Sequence, residues 1–422
     1  MRTRTLTFFL FNLFIIFSCG QKGNSKKTVF AIPVYGQSLA LGEEAIRITN
    51  FDSLSKRTNH RVFTENLDEE FGFFSDTRFK QWAKKILGDR HRAFELSIYG
   101  MSEILADSLD SGKLPNSVVI SIFPGGRGAT SLSDMGPGSR PYIKFLSEIK
   151  GAYDVAHERG WRFEVPAFCW MQGENDIVWK SGRNYKRDLK QFHANLNKDV
   201  KKITQQDRDV VCVIYQSNCL TLSPTFKPNV FESQETLVPQ AQLELLRSDP
   251  LFIASGPTYP YSFVGERVHI DGYAQKRLGY LAGASIIKLM EAKPSKGVIP
   301  LEFLTSGKTV SIRFNVPHPP LVMDTTAVLK APHYGFSVIN SANVNILQRV
   351  TLVNNTIILA CTESPKGSKI RYAINGLPGK SGNQRGPRGN LRDSQGEVLS
   401  ATILKKNYPL HNWSYQFDEL LK

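Results

Sequence analysis

Cysteine is scarce in this chain, with five in 422 residues and no Cys-x-x-Cys pair. No histidine cluster compensates, so the spacing a zinc site needs is absent and no metal is expected. No apolar run reaches the roughly 20 residues that a membrane-spanning helix requires. No internal repeat and no nucleic-acid motif is present. Acidic residues are also under-represented: 38 against 53 Lys and Arg, a formal net charge of +15. Such a balance draws a protein to anionic surfaces or polymers. Anionic glycans or a membrane surface fit that charge, as does a solvated basic surface with no partner. Nucleic acid is not expected as a partner of an exported chain. The sequence carries no signal of oligomeric state.

What is there is ordinary globular composition, 41% hydrophobic and 22% charged, over a length that allows one large core and a smaller one. The N-terminus differs. Arg2 and Arg4 precede an apolar run from Leu6 to Phe17, too short to span a bilayer. That is the form of a secretory signal. It ends Ser18-Cys19-Gly20, a small residue before cysteine, and a polar stretch to Lys27 follows. This resembles a bacterial lipobox, with Cys19 lipidated after cleavage and the protein anchored to the membrane without a spanning helix. The expectation is an exported, membrane-anchored protein: signal 1–18, tether 19–27. Cys169 and Cys212 lie inside apolar strand patterns and read as buried small hydrophobes. A Cys212–Cys219 disulfide stays open as an alternative.

Residues 28–293 alternate strand and helix signals. Strands are expected at 29–35, 117–123, 166–171, 209–215 and 251–255. They are near-continuous apolar runs, the form of strands buried on both faces. Helices are expected at 93–108, 141–159, 184–205, 235–247 and 274–291. In the last, Leu278, Leu281, Ile286, Ile287 and Met290 fall on or near one stripe. Five strands alternating with helices predict an α/β fold, a mainly parallel five-stranded sheet covered on both faces. Residues 43–92 break the alternation. They are polar and charged, with Phe71, Phe73, Phe74, Phe79 and Trp82 clustered, and read as a binding wall or lid or as a peripheral subdomain. Residues 294–422 carry short β-rich runs at 309–315, 327–329, 344–350, 356–361 and 369–374. A smaller C-terminal β-rich domain is expected there, with 376–396 as an extended loop.

Four segments carry chemistry. Val34-Tyr35-Gly36-Gln37-Ser38-Leu39-Ala40 ends a buried strand and turns toward a helix-compatible run. A serine there is exposed at the carboxyl edge of the sheet, with its N–H near a helix start, which suits a nucleophile. The second segment is Gly125-Gly126-Arg127-Gly128-Ala129-Thr130-Ser131, a strand end entering a glycine-rich turn. The third is Trp170-Met171-Gln172-Gly173-Glu174-Asn175-Asp176, and the fourth is Glu266-Arg267-Val268-His269-Ile270-Asp271.

In this order the four blocks resemble the SGNH hydrolase superfamily, specifically its carbohydrate O-acetylesterase branch, similar to sialate O-acetylesterases. The Gly-Gln-Ser block and the Trp-x-Gln-Gly-Glu block are intact. The second block has Gly128-Ala129 where the branch has Gly-Gly, and Glu266 stands where Asp is usual. The resemblance covers about residues 28 to 293. It implies a three-layer α/β/α fold and a serine esterase acting on acetylated carbohydrate through an acyl-enzyme. Ser38 would be the nucleophile and His269 the base, with Glu266 orienting it. Asp271 competes for that role but also reads as the N-cap of the final helix. A Ser-His dyad is the third possibility. The oxyanion donors would be the Ser38 and Gly128 N–H groups and an amide. Gly173-Glu174-Asn175-Asp176 fits the wider superfamily and points to Asn175; the esterase branch points to Gln172. Glu174 is expected to hold the turn. Arg127 would meet a substrate carboxylate or only the sheet edge. No cofactor and no metal is called for. The competing reading is a non-catalytic glycan-binding lipoprotein on the same scaffold. A lipolytic esterase fits less well, because the third block is polar.

Overall fold

The computed structural model describes residues 27–58, 61–64, 94–266 and 268–422. The N-terminal apolar run, Cys19 and the aromatic cluster from Phe71 to Trp82 lie outside the described residues. No described helix is long and apolar enough to cross a membrane.

All five expected strands form. They are β1 Thr28–Gly36, β3 Val118–Gly126, β5 Ala167–Met171, β6 Val211–Gln216 and β7 Phe252–Pro257. Two short strands were not anticipated: β2 Val62–Thr64 extends the edge beside β3, and β4 Arg162–Glu164 pairs with the start of β1. The sheet therefore has seven strands, not five. Each of the extra two has three residues, too few to show an apolar run. The spatial order is β2-β3-β1-β5-β6-β7, every pairing parallel. From β1 the chain goes to one side, to β3, then crosses back over β1 to β5 and continues outward. The order reverses at β1, and in open parallel sheets the crevice at such a reversal is where ligands bind.

Alternate residues along each strand feed two cores. Tyr35, Phe123, Phe168, Trp170 and Ile214 face one side, against α3 Arg140–Glu158, α5 Tyr185–Thr204 and α6 Leu237–Ser248. Val34, Ile122, Cys169, Met171 and Val213 face the other, against α2 Ser97–Asp110 and α7 Gly272–Met290. A short α1 Phe51–Thr58 packs beside α2. This is why the strands are apolar throughout: neither face meets water. Trp170, fully buried, stacks near Phe192 and donates through Nε1 to Tyr185.

After residue 294 the strands turn antiparallel. One sheet has four strands (β8 Ile299–Ser306, β9 Thr309–Asn315, β12 Leu347–Val353, β13 Thr356–Cys361) and another has three (β11 Phe336–Ile339, β14 Lys369–Tyr372, β18 Phe417–Leu420). Two-stranded ribbons complete it: β10 Val322–Met323 with β15 Leu391–Arg392, and β16 Ser400–Ile403 with β17 Lys406–Pro409. The strand expected at 327–329 is a turn, and the loop expected at 376–396 contains β15. The strands up to β15, and β18, share one core with the α/β layers, while the β16–β17 ribbon packs against Ile104, Tyr280 and Leu281 of the helices. Gln216 Nε2 donates to Gln416 O, and Gln416 N donates back to Gln216 Oε1. Arg371, fully buried, is neutralised by Asp418 and donates to the carbonyls of Pro228 and Phe231. Cys169, Cys212, Cys219 and Cys361 are buried free thiols, so no Cys212–Cys219 disulfide forms.

Candidate active site

Three strand ends meet at the reversal point. β1 ends at Gly36, whose O accepts from Arg127 N at 3.0 Å; Gln37 N donates to Met171 O at 2.9 Å, tying β1 to the end of β5. Gly126 has φ 128°, and a Cβ there would lie 1.8 Å from Gly36 O. Only glycine fits, because L side chains avoid that backbone conformation and the neighbouring chain leaves no room.

Ser38 opens a single 3₁₀ turn, Ser38–Leu41, rather than the longer helix expected from Leu39 to Ala45. Gly42 closes the turn in the left-handed conformation (φ 65°), and Glu43 N donates back to Ser38 O. Ser38 is 4% exposed. Among the described residues, neither its hydroxyl nor its backbone N–H has a hydrogen-bond partner, and the same holds for the Gly128 N–H. Uncommitted N–H groups at adjoining strand ends are the raw material of an oxyanion hole. Beside this turn, Gly126, Arg127, Arg140, Pro141 and Lys144 line a positively charged cleft of about 320 Å³.

The third block divides its labour differently from expectation. Gln172 is fully buried. Its Nε2 donates to Asp176 Oδ2 at 2.6 Å and to Thr130 O at 3.1 Å, while its Oε1 accepts from the Tyr185 hydroxyl at 2.8 Å. Both amide hydrogens of Gln172 are committed inside the fold. Asn175 is half-buried at the start of α4 Glu174–Val178, and its backbone N–H faces Gln37 Oε1 at 3.4 Å. Its side-chain amide has no partner among the described residues. Glu174 is buried, accepts from the Tyr215 hydroxyl, and has one carboxyl oxygen with no partner. Burial raises its pKa, opposed by Tyr215 and Ser217 hydrogen bonds and by the charge of His269. Glu174 thus holds the β5 and β6 ends together, and it also lies within electrostatic reach of His269.

His269 sits on a loop pinned by Phe263 opposite Ile270, with Val264 N donating to His269 O at 2.7 Å. Its Nδ1 lies 2.8 Å from Oε2 of Glu44. The expected partner was Glu266. The backbone of Glu266 closes the 3₁₀ turn Val264–Glu266, and its side chain lies outside the described residues. Asp271 caps α7, accepting from Ala274 N at 2.8 Å, which is the structural role it competed with. Glu44 was not singled out from sequence. Its geometry depends on the chain adopting φ 64° at a non-glycine residue, which no local motif announces. The helix that follows this loop is tied to the Ser38 turn by Gln275 Nε2, which donates to Leu39 O at 2.9 Å. No cluster of metal-ligating side chains occurs among the described residues.

The arrangement is a serine and a carboxylate-held imidazole on two loops fastened together, with uncommitted donors beside the serine. Acyl-ester cleavage needs those parts. The overall fold is similar to that of a carbohydrate acetylesterase from Xanthomonas citri, with a TM-score of 0.57 at 11% identity, covering 93% of this chain and 80% of that one. A protein from Arabidopsis thaliana matches with a TM-score of 0.43 at 15% identity, over 62% of this chain and 98% of its own. A carbohydrate acetylesterase from Sinorhizobium meliloti matches with a TM-score of 0.31 at 13% identity, over 63% and 100%. No curated protein matches the sequence. The profile of the carbohydrate esterase family described as sialic acid-specific acetylesterase matches residues 74–286, half of the chain. The chain belongs to that family and is a carboxylic ester hydrolase.

Proposed function

We propose that this protein removes O-acetyl groups from carbohydrate through an acetyl-serine intermediate. The observation that carries the reading is the pairing of His269 Nδ1 with Glu44, on a loop whose following helix is tied to the Ser38 turn. Ser38 Oγ attacks the acetyl carbonyl carbon while His269 Nε2 takes the hydroxyl proton. The oxyanion is met by the Ser38 and Gly128 N–H groups and by the Asn175 amide. When the acetyl–oxygen bond breaks, His269 returns the proton to the departing sugar oxygen. Water then attacks the acetyl-Ser38 carbonyl, His269 takes its proton, and acetate leaves as Ser38 is reprotonated. Imidazole suits both directions because its unperturbed pKa is near 6.5. Glu44 holds the Nδ1 hydrogen, fixing the tautomer and stabilising the imidazolium as it forms.

The test is acetate release from an acetylated pyranoside by the purified protein. Wild type should release acetate, and Ser38→Ala, with an unchanged circular dichroism spectrum, should lose at least about three orders of magnitude in kcat/KM. Glycan binding without hydrolysis would favour the binding-protein reading instead.

We further propose that the chain is exported and held at a membrane by lipid on Cys19. The apolar run before Cys19 and the polar stretch after it support this. Cys19→Ala should shift the protein out of the membrane fraction. Retention reversed by high salt would show electrostatic adsorption instead.

A further inference from the structure

Trp179 is 75% exposed, although tryptophan is the side chain with most to gain from burial. It stands where α4 ends. Trp179 N donates to Asn175 O at 3.0 Å, so the two residues lie one turn apart on the same helix face. Asn175 is the residue whose amide stands uncommitted beside the Gln37–Ser38 turn. The helix stops directly after Trp179 in a Schellman closure: Lys180 N donates to Ile177 O, and Ser181 N donates to Asp176 O. Lys180 takes the left-handed position usual for glycine, with φ 56°. Its ammonium pairs with Glu235 and Thr225. The chain therefore turns off and leaves the indole uncovered.

The helix carrying Trp179 is also held rigidly. The Asp176 carboxylate accepts from Leu132 N, Gln172 Nε2 and Ser181 Oγ at 3.0, 2.6 and 2.5 Å. An exposed aromatic on a pinned element is a preorganised contact surface, because few rotamers are lost when something covers it. Ile46, two residues after Glu44, is 79% exposed.

We propose that Trp179 is the stacking platform for the pyranose ring that carries the acetyl ester. This rests on the esterase reading above. Beyond the scissile carbonyl the acetyl group is only a methyl, so any larger contact surface beside the site must serve the alcohol side of the ester. That side is a sugar ring with an apolar C–H face, which an indole covers by burying apolar area and by the attraction of its π-face for polarised C–H groups. Trp179 thereby sets a preference for ring-bearing acetates over small ones.

The experiment compares Trp179→Ala, Trp179→Phe and wild type on an acetylated methyl pyranoside and on ethyl acetate. In Trp179→Ala the ratio of kcat/KM, pyranoside over ethyl acetate, should fall about tenfold, mainly through KM, and Trp179→Phe should recover most of it. A fall shared equally by both esters, or no fall, would overturn the proposal. Binding is read separately with Ser38→Ala protein: the pyranoside should quench tryptophan fluorescence, and the quench should vanish in Ser38→Ala/Trp179→Phe. Persistence of the quench in that double variant would overturn the platform. If wild type hydrolyses neither ester, the esterase reading fails, and the quench still decides on Trp179.

Discussion

His269 Nδ1 meets Oε2 of Glu44 at 2.8 Å, across 225 residues of chain. The imidazole and its carboxylate thus come from opposite ends of the α/β region: Glu44 follows the first strand and His269 follows the last. The carboxylate is half exposed, with 52% of its side-chain surface accessible, so water competes for it. Glu44→Gln should lower kcat by about tenfold to a hundredfold with little change in KM, less than for a fully buried triad acid. Glu266→Gln should change kcat less. The reverse ranking in steady-state kinetics would return the orienting role to Glu266.

Asn175 and Gln172 should separate cleanly. Asn175→Ala removes an uncommitted donor and should cost about a hundredfold or more in kcat, with the melting temperature nearly unchanged. Gln172→Ala leaves Thr130 O and Asp176 short of a buried partner and should destabilise the fold by about 1–3 kcal/mol. If Gln172→Ala leaves the melting temperature untouched, the buried network has been misread.

Asp271 caps α7, and its variants should report on stability before rate. Asp271→Asn keeps a capping oxygen and should be nearly neutral. Asp271→Ala should cost about 0.5–2 kcal/mol in denaturant unfolding. A large fall in kcat for Asp271→Asn would show that Asp271, and not Glu44, serves His269.

Glu148 lies beneath the basic cleft, 2% exposed, and burial pushes its pKa up to about 8, partly offset by Lys144. Its pKa is raised on folding, so the native state holds the proton that the unfolded chain releases above its ordinary pKa of about 4.3. The stability it contributes is fully present below that value and falls as pH rises toward 8. Glu148→Gln removes the titration. Its melting temperature should gain on wild type steadily from pH 5 to pH 8, and a difference that stays constant with pH would refute the assignment.

The five long strands and five long helices were legible because burial on two sheet faces and amphipathic packing each leave a periodic trace over many residues. The two three-residue strands, β2 and β4, were not. Nor was the fusion of the C-terminal strands into the main core, since contacts such as Gln216 with Gln416 leave no periodic trace in sequence.

Within the site, the sequence by itself determined the strand-end turn that carries Ser38 and the glycines around it. Gly126 is dictated by a local conformation and by a close approach that no side chain survives. It also determined that Asp271 would begin a helix, because a cap is made within three residues. Only the tertiary structure decided which carboxylate reaches His269 and which amide stays uncommitted. Those choices turn on strand order, which places the ends of β1, β3 and β5 side by side, and on Tyr185, which captures the Gln172 side chain from a helix. A hydrogen bond has directional preferences and short reach. Partners far apart in sequence are therefore assigned by how the layers pack, and a single chain read in order cannot rank them.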